Sequence, residues 1–439
     1  MGSYVPSTAR EREEMLRAIG LERMDDLFRD VPEQVRRAAS LRLPEGLSEM
    51  ALRARMEALA AKNRVFPIVL RGAGAYSHYI PAIVKSVASR EEFVTAYTPY
   101  QAEISQGVLQ SIFEYQTMVC ELTGMDVSNA SVYDGASAAA EAAAMCRERR
   151  RTATLISATV HPDTIATVQT YCRAAGVEAR VVPERDGVTD LDALREMLTP
   201  DVACVVLQSP NFYGAIEDAG AAVAAAHEAG AKAVLSCNPM AMALLQTPGE
   251  LGADVAVAEG QPLGLPLSYG GPYLGVMAAR QSLMRRLPGR IVGETTDADG
   301  KRAYVLTLQA REQHIRREKA GSNICSNEAL CALTAGAYLC AVGPRGLREI
   351  AQRCVDNAHY LQSALERAGL ERVGSAPFFH EFVTECPADA ERLMRALEDE
   401  GILGGLPIPG GILWCATETV GRAQMDRAAE VVREVLACS

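Results

Sequence analysis

Lysine is scarce in this 439-residue chain: only five of its 44 basic residues are lysines, and the rest are arginines. Any reaction that needs a lysine amine must draw on Lys62, Lys85, Lys232, Lys301 or Lys319. Positive charge is also in deficit. The formal net charge of −11 argues against a general nucleic-acid binder, which needs clustered positive charge. The one basic cluster, "RERRR" at 147–151, follows an Ala-rich helical pattern and reads as a complement to a helix C-terminus. No run of 18 uncharged apolar residues occurs, so no membrane span is expected. The opening "MGSYVPSTARERE" lacks an apolar core, so no signal peptide is expected either. The twelve cysteines form no C-x-x-C pair and no Cys/His cluster at zinc spacing, which predicts no metal site. Dispersed in apolar stretches, they point to a reduced, cytoplasmic protein.

What is present is an ordinary soluble balance of 49% hydrophobic and 23% charged residues, enough for a substantial core. Residues 1–90 read as a helical arm without a strand series. Thr8 and Glu11 form a capping box at the start of "AREREEMLRAIG", Gly20 stops that helix, and "MDDLFRDVP" is a second short one. From 91 to 345 the pattern becomes a large α/β domain. Apolar runs such as "TATLISA", "VACVVLQ", "KAVLSC" and "ADVAVAE" alternate with helical stretches, which predicts a largely parallel sheet covered on both faces. Residues 346–439 end in a small α+β domain with strands "HEFVTEC", "GILGGLP" and "GGILWCATE" and helices "ADAERLMRALEDEG" and "RAQMDRAAEVVREVLA". Together these parts match the architecture of pyridoxal phosphate (PLP) enzymes of fold type I, whose ligands sit at the carboxyl ends of the strands.

The residues that such an enzyme needs are incomplete. In "EGQPLGLPLSYGGP" (259–272), just past a buried strand, the place for a Schiff-base lysine holds Gln261, and an amide cannot form the imine. The ring-nitrogen carboxylate is missing too, since "KAVLSCNP" offers Asn238. No other lysine substitutes: Lys62 and Lys85 lie in the arm, Lys301 in a polar turn, Lys232 at the wrong end of a strand and Lys319 in a cationic stretch. "YDGASAAAEA" (133–142) puts Gly135 and Ser137 at a helix start, where backbone N–H groups cradle a phosphate or small residues pack a helix on a sheet. His161 in "VHPDT" either stacks on a pyridine ring or caps a helix. Two longer passages are polar and specific. "AYTPYQAEISQGVLQSIFEYQTM" (96–118) holds Tyr97, Tyr100, Gln101 and Glu103, and "REQHIRREKAGSNICSNEAL" (311–330) holds Arg316, Arg317, Ser322 and Asn323.

These passages, with "GADVAVAEGQPLGLPLSYGGPYLG", resemble the glycine dehydrogenase (decarboxylating) subunit 1 family over essentially the whole chain. Those are the alpha chains of the two-chain P-protein of the glycine cleavage system. The resemblance implies an α2β2-type assembly in which the beta chain, subunit 2, carries "HK" where this chain has Gly260 and Gln261. PLP would then reside in the beta chain and none would bind this one covalently. The pair would decarboxylate glycine and pass the aminomethyl group to the lipoyl arm of H-protein, in a system completed by T-protein and L-protein. Fold type I sites generally lie at dimer interfaces. Tyr97, Tyr100, Gln101 and Glu103 are therefore expected near the partner's cofactor, with Arg316, Arg317, Ser322 and Asn323 as the second choice. Gly135, Ser137 and His161 would line a vestigial pocket. Two other classes stay open: a self-sufficient PLP enzyme with an unrecognised lysine, and a purely structural or regulatory subunit.

Overall fold

Segments such as "VACVVLQS" present no polar face to water, so they form strands only where both faces are covered. The computed structural model describes residues 6–36, 43–386 and 389–437, and gathers such segments into one seven-stranded sheet. Its strands are β1 (Val127–Ser128), β2 (Ala153–Ser157), β3 (Ala179–Val182), β4 (Val202–Ser209), β5 (Lys232–Cys237), β6 (Val255–Glu259) and β7 (Gly275–Ala279). Across the sheet they run β1-β7-β6-β5-β4-β2-β3. From β3 to β6 every pairing is parallel, while β7 is antiparallel to both β6 and β1. The expected α/β fold with a largely parallel sheet is the one observed.

Helices cover the two faces. They include α1 (Gln106–Thr123), α2 (Gly135–Cys146), α3 (Pro162–Ala174), α4 (Ala219–Glu228) and α5 (Ala329–Arg367). Alternate strand residues point opposite ways. Leu155, Val205 and Leu235 pack with α1, α4 and α5, whereas Ile156, Val206, Val234 and Val257 pack with α2 and α3. The buried face of α2 is mostly alanine, with Ala138, Ala139, Ala140, Ala142 and Ala143 fully buried, so its backbone lies close to the sheet. Helix α5 is broken at Gly343, whose φ is +63°, just before Pro344. Among the described residues it is the one helix long and apolar enough to cross a membrane by length and composition. Its Cys331, Ala332, Ala335 and Tyr338 pack instead into the sheet's core.

The final segments form a three-stranded antiparallel sheet of Glu381–Thr384, Gly411–Cys415 and Leu406–Ile408, backed by the helices Ala390–Asp399 and Arg422–Ala437. Trp414 is fully buried there, and its indole N–H donates to the Thr384 hydroxyl at 2.9 Å. The expected first residue of the penultimate helix, Ala388, lies outside the described residues, as do the first five residues of the chain. Two features differ from expectation. Ile68–Val69 is a strand, parallel to Ile402–Leu403, and "GILGGLP" is split between two sheets. Lys301 stands at the turn of a hairpin, Ile291–Thr296 with Arg302–Thr307.

By internal packing the chain divides into Met1–Val65 and Phe66–Ser439. In the first unit, helix Ala9–Ala18 opens with the expected capping box: Glu11 N–H donates to the Thr8 hydroxyl, and Thr8 N–H to the Glu11 carboxylate. Everything that follows concerns the second unit.

Candidate functional site

The carboxyl ends of β4, β5 and β6 open onto a cavity of about 390 Å³, lined in part by Gly135, His161, Gln208, Asn238, Glu259 and Glu381. This is where a parallel sheet places its ligands. Gln261 lies just beyond β6, is 1% exposed and makes three hydrogen bonds through its amide. Its Oε1 accepts from Tyr76 N–H at 2.8 Å, and its Nε2 donates to the carbonyls of Tyr76 at 2.9 Å and Leu265 at 2.8 Å. The amide staples two loops together at the place where the sequence led one to expect a Schiff-base lysine. Asn238 is equally committed, its Oδ1 accepting from the N–H groups of Met240 and Ala241.

His161 caps α3: its Nδ1 accepts from Asp163 N–H at 3.2 Å, which leaves the Nε2 hydrogen for the Ala73 carbonyl at 3.0 Å. Its ring meets Phe212 edge-on at 5.1 Å. The imidazole thus serves as a helix cap at the rim of the cavity. Ser137 N–H donates to the Asp134 carboxylate, the N-cap of α2. Gly135 N–H, the donor that would greet a phosphate, already donates to Glu259 at 2.9 Å. With no amine, an amide at the place expected for the ring-nitrogen carboxylate, and two N–H groups of the cradle already taken, these residues do not fit PLP.

Two cavity carboxylates escaped the sequence reading. Glu259 ends an apolar strand, and burial raises its pKa to about 7 against three backbone N–H bonds. Glu381 accepts from Ala73 N–H at 2.6 Å and from the Tyr76 hydroxyl at 2.7 Å, and burial raises it also to about 7. The only signal was an acid in an otherwise apolar run.

The remaining candidates lie elsewhere. Tyr97, Tyr100, Gln101 and Glu103 are exposed and do not line the strand-end cavity. Tyr97 is 91% exposed, an unusual position for a large ring. Tyr100 links the two passages: its hydroxyl accepts from Arg290 Nη2 at 3.3 Å, and its ring lies 6.2 Å from that of His314. Arg290, which the sequence reading did not single out, is 4% exposed and also donates to Asn327 Oδ1 at 3.1 Å. Arg316 and Ser322 line a separate cationic groove with Arg285, Arg286, Arg311 and Lys319, whereas Arg317 and Asn323 do not. Of the remaining lysines, Lys232 pairs with Glu148 at the opposite end of its strand from Cys237 and the cavity.

The glycine cleavage system P-protein family model matches residues 2–431. A probable glycine dehydrogenase (decarboxylating) subunit 1 of Moorella thermoacetica is 50% identical over 444 residues, covering 99% of this chain and all of the relative. Its counterpart in Geobacillus kaustophilus is 48% identical, with 97% of each chain covered. Among solved structures, the glycine decarboxylase (P-protein) of the glycine cleavage system in inhibitor-bound form superposes with a TM-score of 0.93 at 43% identity, covering 99% of this chain and all of that one. An aspartate aminotransferase from Thermus thermophilus, at TM-score 0.59 and 17% identity, shares the PLP fold type I architecture alone. The chain belongs to the glycine cleavage system P-protein family.

Proposed function

We propose that this chain is the cofactor-free half of a two-chain glycine decarboxylase and that subunit 2 holds the PLP. The observation that carries this reading is Gln261, buried with both amide hydrogens and its oxygen bonded to the main chain at the lysine position. PLP on the partner would supply the electron sink for the pair released when glycine loses CO2. This chain's contribution is a wall. Arg290 donates to the Tyr100 oxygen, which fixes the phenol and leaves its own hydrogen free to donate outward to a ligand anion. Gln101 and Glu103 flank it on an exposed loop, and Tyr97 offers a ring to pack on a partner surface. The groove at Arg316 and Lys319, with Arg285 and Arg286 beside it, suits a carboxylate or phosphate.

The same reading makes lipoylated H-protein the acceptor and places T-protein and L-protein downstream, with the complex in the cytoplasm. Eleven described cysteines are free thiols, which accords with a reducing compartment. Co-expression with the lysine-bearing chain and an assay of glycine-dependent CO2 exchange test the proposal. Each chain alone should be inactive and the pair active. Full activity of the lysine-bearing chain alone would reduce this one to a structural subunit.

A further inference from the structure

Helix α2 directs its N-terminus at the strand-end cavity, where free N–H groups and the helix dipole would hold an anion. A carboxylate of the chain itself is already there. Glu259 Oε2 accepts from Gly135 N–H at 2.9 Å, while Oε1 accepts from Gln261 N–H at 2.9 Å and Leu274 N–H at 3.0 Å. One side chain thus collects donors from the start of α2, the turn after β6 and the approach to β7. The fit is close: a Cβ on Gly135 would stand 2.9 Å from the Glu259 backbone nitrogen and 3.0 Å from its Cβ. Only glycine lets the helix end reach this carboxylate. The next N–H of α2 with a side-chain partner, at Ser137, is taken by Asp134, a second negative charge at the same helix end.

We propose that Glu259 is an internal anion standing in for a phosphate at the N-terminus of α2, and that it closes this cavity to phosphorylated ligands, PLP included. Gln261 removes the covalent anchor for such a cofactor, and Glu259 independently removes the ionic one. A phosphate approaching Gly135 meets a carboxylate in its place and finds the Gly135 and Ser137 N–H groups spent, with only Ala136 N–H of the first three left to it. Restoring a lysine at position 261 therefore leaves the cradle shut. The inference concerns this chain's own cavity and holds whether or not the partner's site is built as proposed above.

The test uses the whole chain at about pH 8, where Glu259 is ionised, with inorganic phosphate and PLP as probes followed by calorimetry and by melting temperature. Glu259→Gly frees the donors and removes the charge, so it should bind phosphate about tenfold or more tightly than the wild type. Glu259→Gln keeps the side-chain volume and removes the charge. Phosphate should raise its melting temperature too, by less, so it gives the reading if the glycine variant fails to fold. Any phosphate held in the arginine groove contributes alike to all three proteins and cancels in the comparison. Equal phosphate affinity in wild type and folded variants overturns the proposal. So does a wild-type chain that takes up PLP as tightly as the glycine variant does. No activity is measured, so failure here is distinct from failure of the two-chain reading.

Discussion

Gln261 exchanges reactivity for three hydrogen bonds to buried main-chain groups. Leaving such groups unpaired costs about 1–3 kcal/mol each, and a lysine could restore only part of the set. Gln261→Lys should therefore lower unfolding free energy by about 2–4 kcal/mol in urea titrations, by the same reckoning. It should gain neither a PLP absorbance band nor glycine decarboxylation; turnover by the isolated variant would contradict this account. Glu381 gives a pH-dependent signature. Burial raises it from an ordinary 4.5 to about 7. A carboxyl so raised holds its proton more tightly in the folded state, so its contribution is full below about 4.5, the ordinary value it keeps when unfolded. It is lost as pH climbs to about 7, and Glu259 acts in the same direction. Melting temperature should fall across that window, and Glu381→Gln should flatten part of the slope. Parallel slopes in variant and wild type would show that Glu381 is not the titrating group. The missing lysine was legible because so few lysines exist to be eliminated. Glu259 and Glu381 were not, because their partners, at Gly135, Leu274, Ala73 and Tyr76, come from segments remote in sequence.

At the scale of elements, the parallel strands were readable because strands buried on both faces must be continuously apolar. The pairing of Ile68–Val69 with Ile402–Leu403 was not, since two residues carry no period. The loop Tyr97–Glu103 shows a different limit. Its motif was recognisable, but the Arg290 and His314 side chains that hold Tyr100 lie about 190 and 214 positions away, as reading along one chain conceals. If that loop faces the partner's cofactor, Tyr100→Phe removes a donor poised on a reacting or charged group. Such a bond is worth ~1.5–3 kcal/mol, or roughly 10- to 150-fold in kcat/KM for glycine. Gel filtration of the same preparation should show the two chains still associated. Weaker association with unchanged activity per intact complex would assign the loop to assembly instead.

Over the whole molecule, the surface carries large apolar side chains that a lone subunit has no reason to expose. Tyr97, Ile104 and Tyr269 are 91%, 80% and 92% exposed, and the apolar window of α5 is 28% buried. Such surface fits a chain that works against a partner. On the proposed function the strand-end cavity is an inheritance of the fold, with an amide and a carboxylate of the chain at the expected anchor points of a cofactor. The central claim, that catalysis depends on PLP held by the other chain, has one direct measurement: borohydride reduction of the PLP-loaded two-chain complex, followed by peptide mapping. The account predicts a pyridoxyl-lysine in subunit 2 and none in this chain. A pyridoxyl group on a peptide containing Lys232 or Lys319 would contradict it.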